Sequence, residues 1–290
     1  MSPPVTPLRA RADADRAALK RRYPASFQRP LRERLLPPVA VVLATALAVY
    51  TLWRFGFSPE KFVEGLGKLG IVVSLMIPPN PGNQLWHYVG ALGETLSIAF
   101  LGTLGAAILA LPVSMLAAKN VVANRIVHFA SRRFLDTIRG VDTLIWALIW
   151  INVVGLGPFA GVLAILTSDF GAFGKLFSEA IEAADKKPVD GVLSTGGSDL
   201  QGFRFGVLPQ VLPVLLSQVL YYFESNVRSA TIIGIVGAGG IGLYLANEIG
   251  QAEWPQVAFL ILMILATVAT IDWLSGKVRF AVIGSRGQPA

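Results

Sequence analysis

Long stretches without charged residues constrain this chain more than any other feature. An α-helix needs about 20 apolar residues to cross the roughly 30 Å hydrocarbon core of a bilayer. Stretches free of Asp, Glu, Lys and Arg recur at 35–53, 95–118, 143–168, 205–223, 229–247 and 255–271. Only 15% of the residues are charged, against about 25% in soluble domains. The sequence therefore predicts an all-α, polytopic integral membrane protein.

Glycine and proline divide two of these stretches. Gly155-Leu156-Gly157-Pro158 interrupts 143–168 and predicts two helices joined by a tight turn. Six glycines between Gly234 and Gly250 predict that 229–247 is a re-entrant, broken segment, which a membrane protein tolerates where the backbone lines a cavity. A further uncharged stretch at 69–93 contains three prolines and is interpreted as a loop approached by a short helix.

The positive-inside rule gives an orientation for six spans, at about 35–54, 93–118, 135–155, 157–175, 205–227 and 255–275. Four groups, within 1–34, 119–139, 175–206 and 277–286, hold 21 of the 25 Lys and Arg residues. If all four groups are cytoplasmic, both termini are inside. The first apolar run begins only at Leu35, so we expect a retained span and no cleaved signal.

These boundaries divide the chain into five parts. We predict a basic cytoplasmic arm (1–34), a first span (35–55), an extracytoplasmic connection (56–92), a core (93–278) and a cytoplasmic tail (279–290). The net charge of +7 lies mainly in the arm, beside the first span. We therefore expect the arm to meet anionic lipid head groups, and no nucleic acid.

Residue types exclude most catalytic chemistry in this chain. It contains no Cys and only two His, which leaves no thiol chemistry and no histidine-rich metal site. Residues 237–242 spell G-x-G-x-x-G, but no strand precedes them and no acidic residue follows at the required distance. No P-loop sequence occurs either. We expect no catalytic residue, metal or cofactor in the chain, and interpret the glycines as close helix packing or as a gate.

A few ionisable residues lie inside or beside the predicted spans. Glu224 and Arg228 are four residues apart, which favours a local salt bridge. Alternatively, Arg228 faces a pore and binds an anion through its planar guanidinium. Asp169 is expected to cap a helix or to pair with Lys175.

The polar segment 179–209 lies between two predicted spans. Pro188 suits the first turn of a helix, and Gly196-Gly197 would end it. The segment predicts a short helix at about 188–197 on the cytoplasmic face, where it would form a docking surface.

This segment resembles the cytoplasmic signature of ABC importer permeases, which reads E-A-A, three residues, G, nine residues, I, one residue, L-P. With Leu208-Pro209 as the anchor, the glycine position falls on Gly196 and E-A-A falls on Asp190-Gly191-Val192. Asp in place of Glu, Gly in place of Ala and Gly206 in place of Ile depart from the pattern. Segments 153–164, 174–182, 206–213 and 228–242 are similar to the phosphonate branch of the same family.

The resemblance implies a type I importer fold in which 188–197 is the coupling helix. Such permeases pair with a second copy, dock on two ABC ATPase subunits that bind ATP and Mg, and receive cargo from an extracytoplasmic substrate-binding protein. The resemblance places ATPase coupling at Asp190, Gly191, Val192, Gly196, Leu208 and Pro209. The resemblance also implies a gate, with a weaker match to the family, at Glu224, Arg228, Gly237, Gly239 and Gly240.

The implied cargo is a phosphonate, and the implied location is the bacterial inner membrane. Two alternatives stay open at this point. One is an importer permease for phosphite, phosphate or another small nutrient. The other is an ATP-independent transporter, although the two halves of the sequence show no inverted repeat.

Overall fold

The computed structural model describes residues 15–16, 18–23, 31–122 and 124–283. The described residues form helices and turns without a strand. Counted from residue 31, the helices are α1 (Leu31–Arg54), α2 (Pro59–Leu75), α3 (Leu85–Ala117), α4 (Arg125–Arg139), α5 (Thr143–Val154), α6 (Pro158–Glu182), α7 (Lys186–Ser194), α8 (Asp199–Gln201), α9 (Leu208–Ile233), α10 (Ile241–Gly250) and α11 (Trp254–Ile283). Two π-helical segments, Gly202–Val207 and Gly234–Ala238, flank α9.

The chain divides into two compact units, Met1–Ile71 and Val72–Ala290. In the first unit, Leu35–Arg54 forms an apolar helix of 20 residues in which no residue is buried. The following α2 also contains no buried residue. Most of the predicted arm (1–34) and tail (279–290) lies outside the described residues.

The core of the second unit forms where α3 packs along α6. Small residues face each other here: Ala99, Ala106 and Ala110 of α3 are fully buried. A Cβ atom on Gly102 would lie 2.7 Å from the Cβ of Ile165. The backbone of α3 at Gly102 therefore packs directly against the Ile165 side chain of α6. Close approach of small residues is the usual packing of helices in membranes.

The all-helical, polytopic fold is confirmed. In the part of the chain that the structure describes, five helices are long and apolar enough to cross a membrane, and a bent helix pair raises the number to six. These five are Leu35–Arg54, Leu85–Ala117, Pro158–Glu182, Asp199–Ala238 and Trp254–Ala281. The predicted break before Pro158 is confirmed as well, because Gly155 and Gly157 have φ angles of 94° and 133° between α5 and α6.

The third predicted span, 135–155, is wrong as a continuous helix. Gly140 follows α4 as its C-cap, and the Asp142 carboxylate accepts a 2.8 Å hydrogen bond from the backbone N–H of Leu144, which starts α5. The two helices meet at an angle of 85°. With 12 residues, α5 alone is about 18 Å long and too short to span the bilayer.

The stretch 229–247 is broken, as predicted. The backbone leaves α9 through the second π-helical segment and restarts as α10 after Gly239 and Gly240. With its 10 residues, α10 is about 15 Å long and cannot cross the bilayer by itself. This length fits the re-entrant segment that the sequence predicts.

Candidate functional site

The helix predicted at 188–197 is α7, which starts two residues earlier. The carboxylate of Asp185 accepts a hydrogen bond of 3.1 Å from the N–H of Lys187 and caps the helix. Gly196 lies just after its end with a φ of +86°, a left-handed conformation that favours glycine. The next residue, Gly197, donates a 3.2 Å hydrogen bond to the carbonyl of Val192.

The predicted signature residues lie mostly on the open side of α7. Asp190, Gly191 and Gly196 are exposed, and Val192 is half-buried. No atom lies within 4 Å of the Cβ position of Gly191 or Gly196. Leu208 and Pro209 occupy the first turn of α9. This part of the chain therefore presents a polar, accessible helix between two long helices, α6 and α9.

Close packing fixes the other side of α7. A Cβ atom on Gly206 would lie 2.8 Å from the Cα of Val189, so only glycine lets α7 rest on the π-helical segment. This contact is a physical reason for Gly206 at the isoleucine position of the signature. The Gln210 side chain adds a double link, since it accepts from the N–H of Asp185 at 3.1 Å and donates to the carbonyl of Asp185 at 3.0 Å.

A cleft of about 400 Å³ opens beside α7. Its lining combines the carboxylates of Asp185 and Asp190 with the apolar side chains of Leu193 and Phe203. Asn120, which follows α3, also lines the cleft and donates a 2.8 Å hydrogen bond to the carbonyl of Ile181. Lys186 and Asp199 also line the cleft, so three carboxylates and one ammonium group surround it. Such a mixed polar and apolar cleft is suited to receive a side chain of a partner protein.

The three glycine gate candidates lie together in one turn. This glycine turn, residues 237–240, joins α9 to α10, and Gly237, Gly239 and Gly240 have φ angles of 105°, 81° and 74°. Residues other than glycine rarely adopt these left-handed backbone conformations. The carbonyl of Gly237 accepts a 3.0 Å hydrogen bond from the N–H of Gly157, in the turn between α5 and α6.

Two residues of α3 that the sequence analysis missed also hold the glycine turn. The N–H of Gly240 donates to Oε1 of Glu94 at 3.0 Å, and the N–H of Ile241 donates to the hydroxyl of Thr95 at 2.8 Å. Thr95 is 1% exposed. No sequence signal marks this contact, because 146 positions separate the partners.

The remaining gate candidates, Glu224 and Arg228, form part of an ion network between α9 and α11. The guanidinium of Arg228 lies 3.8 Å from the Glu224 carboxylate and 3.5 Å from that of Asp272. Glu224 also pairs with Arg279 at 3.1 Å. The local salt bridge predicted from spacing is therefore present, and Arg228 still has 47% of its side chain exposed.

A buried polar cluster joins α3, α6 and α9. The amide nitrogen of Asn226 donates to the Asp169 carboxylate at 2.5 Å and to the Thr103 hydroxyl at 2.8 Å. The expectation for Asp169 is thus wrong in its partner, because Lys175 pairs instead with Asp136 at 2.9 Å. Within the described residues, no group of three or more His, Cys, Asp or Glu side chains could hold a metal ion.

Comparison with known protein families gives a match over most of this core. Residues 110–281 match the family described as "Binding-protein-dependent transport system inner membrane component". The matched region contains α7, the glycine turn, Glu224 and Arg228. It does not include Glu94 and Thr95.

Several relatives have names that refer to phosphorus compounds, among them the following three. A protein of Stutzerimonas stutzeri, provisionally named phosphite transport system permease protein HtxC, is 37% identical over 88% of this chain and 89% of its own length. The phosphate-import permease protein PhnE of Mycolicibacterium smegmatis is 31% identical over 89% of this chain and 48% of its own length. PhnE2 of Escherichia coli K12, provisionally named a cryptic phosphonate transport system permease protein, is 47% identical over 41% of this chain and 97% of its own length.

A solved structure shares the fold. An inward-facing structure of the MetNI methionine ABC transporter superposes with a TM-score of 0.62 over 70% of this chain and 99% of its own chain, at 19% identity.

Proposed function

The chain belongs to the family of binding-protein-dependent transport system inner membrane components and is the permease subunit of an ABC importer, and from this premise we propose that its cargo is a phosphonate. The observation that carries the proposal is the agreement among relatives named for phosphonate, phosphite and phosphate transport. Phosphite and phosphate are the alternative cargoes within the same chemistry.

The coupling surface is α7. Asp190, Gly191 and Gly196 are exposed, Asp185 and Asp190 line the cleft beside the helix, and Gly206 allows close packing on its other side. A rigid, exposed helix between α6 and α9 can transmit a push from a partner to both of these long helices. We assign Asp190, Gly191, Val192 and Gly196, followed by Leu208 and Pro209, to this surface.

The chain works with ATPase and substrate-binding partners, as the family description implies. In our proposal two ATPase subunits bind ATP and Mg, and a second copy of this chain completes the path. Both termini are cytoplasmic, so that α7 faces the ATPases and residues 56–92 face the binding protein. The glycine turn, Glu224 and Arg228 belong to the substrate path.

Co-purification and uptake test this assignment. Tagged chain, extracted in mild detergent with nucleotide, is expected to retain a P-loop ATPase in stoichiometric amount. Reconstituted with its binding protein, the complex is expected to take up radiolabelled phosphonate, and competition with phosphite and phosphate ranks the cargoes. Repeated recovery of the chain alone would favour an ATP-independent transporter.

Variants of α7 test the coupling surface directly. Asp190→Lys and Gly196→Trp are expected to leave ATP hydrolysis running while uptake is lost. Glu179→Lys makes the same charge change at an exposed position of α6 and is the control. Unchanged, coupled uptake in both α7 variants would remove this assignment.

A further inference from the structure

We propose that Glu94 and Thr95 are positioning residues of the transport cycle, which hold the glycine turn closed on α3 and release it when the path opens. The proposal rests on the transport function above but names residues outside the signature and outside the family match. It concerns one contact, between the backbone of Gly240 and Ile241 and the two α3 side chains.

The first step of the argument is the missing cap of α10. The first N–H groups of a helix have no partner inside the helix, and Ser, Thr, Asp or Asn usually supplies one from the N-cap position. Here the N-cap is Gly240, which has no side chain to do so. The acceptors come from α3 instead, as Glu94 Oε1 and Thr95 Oγ1.

Charge and geometry both favour this arrangement. A carboxylate is stabilised at a helix N-terminus by the helix dipole, and Glu94 lies at the N-terminus of α10. Thr95 is satisfied in both roles, because its hydroxyl also donates to the carbonyl of Ala91 at 3.0 Å. Within the described residues, no ion pair involves Glu94.

The glycine turn packs so closely against its neighbours that a side chain on the turn would collide with them. A Cβ atom on Gly239 would lie 2.5 Å from Glu94 Oε1 and 3.0 Å from the nitrogen of Pro158. A Cβ atom on Gly161 would lie 2.9 Å from the carbonyl oxygen of Ala238. The turn is therefore seated between α3 and the start of α6, and a side chain at Gly239 would prevent the Glu94 contact.

A cap supplied by another helix is lost when the two helices move apart, whereas a cap within the same segment moves with its own helix. The turn lies at one end of α9 and the coupling helix α7 lies beside the other end, where Gln210 links the two helices. Movement of α7 can therefore reach the turn through a single helix. The observed state of the turn is defined by discrete contacts to α3, and a two-state element requires contacts of this kind, which can be made or lost as a unit.

Cysteine labelling tests the contact itself. The chain contains no Cys, so Ile241→Cys places a single thiol at a position that is 0% exposed. In native membranes its maleimide labelling is expected to be slow. Glu94→Ala should speed the labelling on the order of tenfold, since a lost hydrogen bond to a charged group shifts an equilibrium by about this factor. Thr95→Val has nearly the same shape and should speed it by a smaller factor.

Two variants serve as controls. Glu94→Gln keeps an acceptor oxygen and should label slowly. Ser97→Ala removes a hydroxyl that bonds only within α3, to the carbonyl of Gly93, and should also label slowly. Labelling at the starting rate in both Glu94→Ala and Thr95→Val would overturn the contact.

The transport readout separates positioning from simple packing. In the reconstituted complex, Glu94→Ala should raise ATP hydrolysis in the absence of binding protein several-fold and reduce its stimulation by binding protein, with the KM for ATP unchanged. Glu94→Gln should restore both values. Faster labelling without any change in coupling would overturn the positioning role. If the wild-type complex carries no phosphorus oxyanion, the proposed cargo fails, while labelling and ATP hydrolysis still test the contact.

Discussion

The proposed coupling helix, α7, and the glycine turn both lie at glycine-containing breaks between apolar helices, yet they are built in opposite ways. In α7 the cap comes from Asp185, its immediate neighbour, and most of the signature residues are exposed. In the glycine turn the acceptors come from 146 positions away and the neighbours approach within 3 Å of Cβ positions. One region presents a surface, and the other is held in place.

This difference matches the tasks that the two regions would have in transport. A docking helix must keep its shape while a partner binds, so local caps and a firm support are sufficient. A gate must have an alternative position, so contacts from a different helix are more useful than contacts within the segment. Substitutions in the two regions should therefore differ in their effect on folding.

The largest effect is expected from Gly239→Ala. A left-handed conformation costs a non-glycine residue about 1–2 kcal/mol. The new Cβ atom would also displace the half-buried Glu94 carboxylate and press on the backbone of Pro158 at 3.0 Å, which adds about 1–3 kcal/mol. Thermal unfolding of the purified chain should shift down clearly, and uptake should be lost. Gly276→Ala, where nothing lies within 4 Å, is the control. Equal unfolding temperatures for the two variants would remove the contrast between the regions.

A medium effect, confined to α7, is expected from Gly206→Ala. The new Cβ atom would meet the backbone of Val189 at 2.8 Å, at a cost of about 1–3 kcal/mol. Co-purification of the ATPase and protease resistance around α7 should fall, with a smaller shift in global unfolding than for Gly239→Ala. Gly250→Ala adds a methyl group in open space at the end of α10, away from the proposed docking surface, and should leave both unchanged. Similar results for the pair would contradict the packing account.

The smallest effect on stability is expected from Arg228→Ala. Its ion pairs are 3.5 and 3.8 Å long and half exposed, and such pairs contribute about 0–1 kcal/mol. Uptake should nevertheless fall if the guanidinium meets an anion, and Arg228→Lys should restore it only in part. Arg279→Ala removes another partner of Glu224 and is the matched control. Normal uptake in Arg228→Ala would show that Arg228 does not bind the cargo and only pairs with Glu224 and Asp272.

Features that depend on neighbours in the sequence could be predicted. Pro158 and the two glycines before it locate the start of α6, and Gly196 locates the end of α7. These residues act through their own φ angle or missing side chain, so they have the same effect in any fold. The bend at Gly140 could not be predicted in this way. The apolar residues that follow it are joined with 135–142 into one predicted span, 135–155.

Contacts between distant residues could not be predicted. Asp169 accepts from Asn226, which lies 57 positions away, and both residues have several polar neighbours in sequence that would serve as well. Glu94 lies near the predicted start of a span, where a carboxylate facing water needs no special explanation. Only the packing of α3 against the end of α9 reveals that its oxygen lies within reach of Gly240.

The length of α3 has a consequence for the lipid environment. Its 33 residues extend about 50 Å, well beyond a hydrocarbon core of roughly 30 Å, and tilts of up to about 40° absorb only part of the excess. At the Ala117 end, the side chains of His128 and Arg132 contact the last carbonyl at 3.0 and 3.4 Å. The last carbonyl of the helix is thus satisfied by protein side chains, so this end of α3 does not need water to complete its hydrogen bonds.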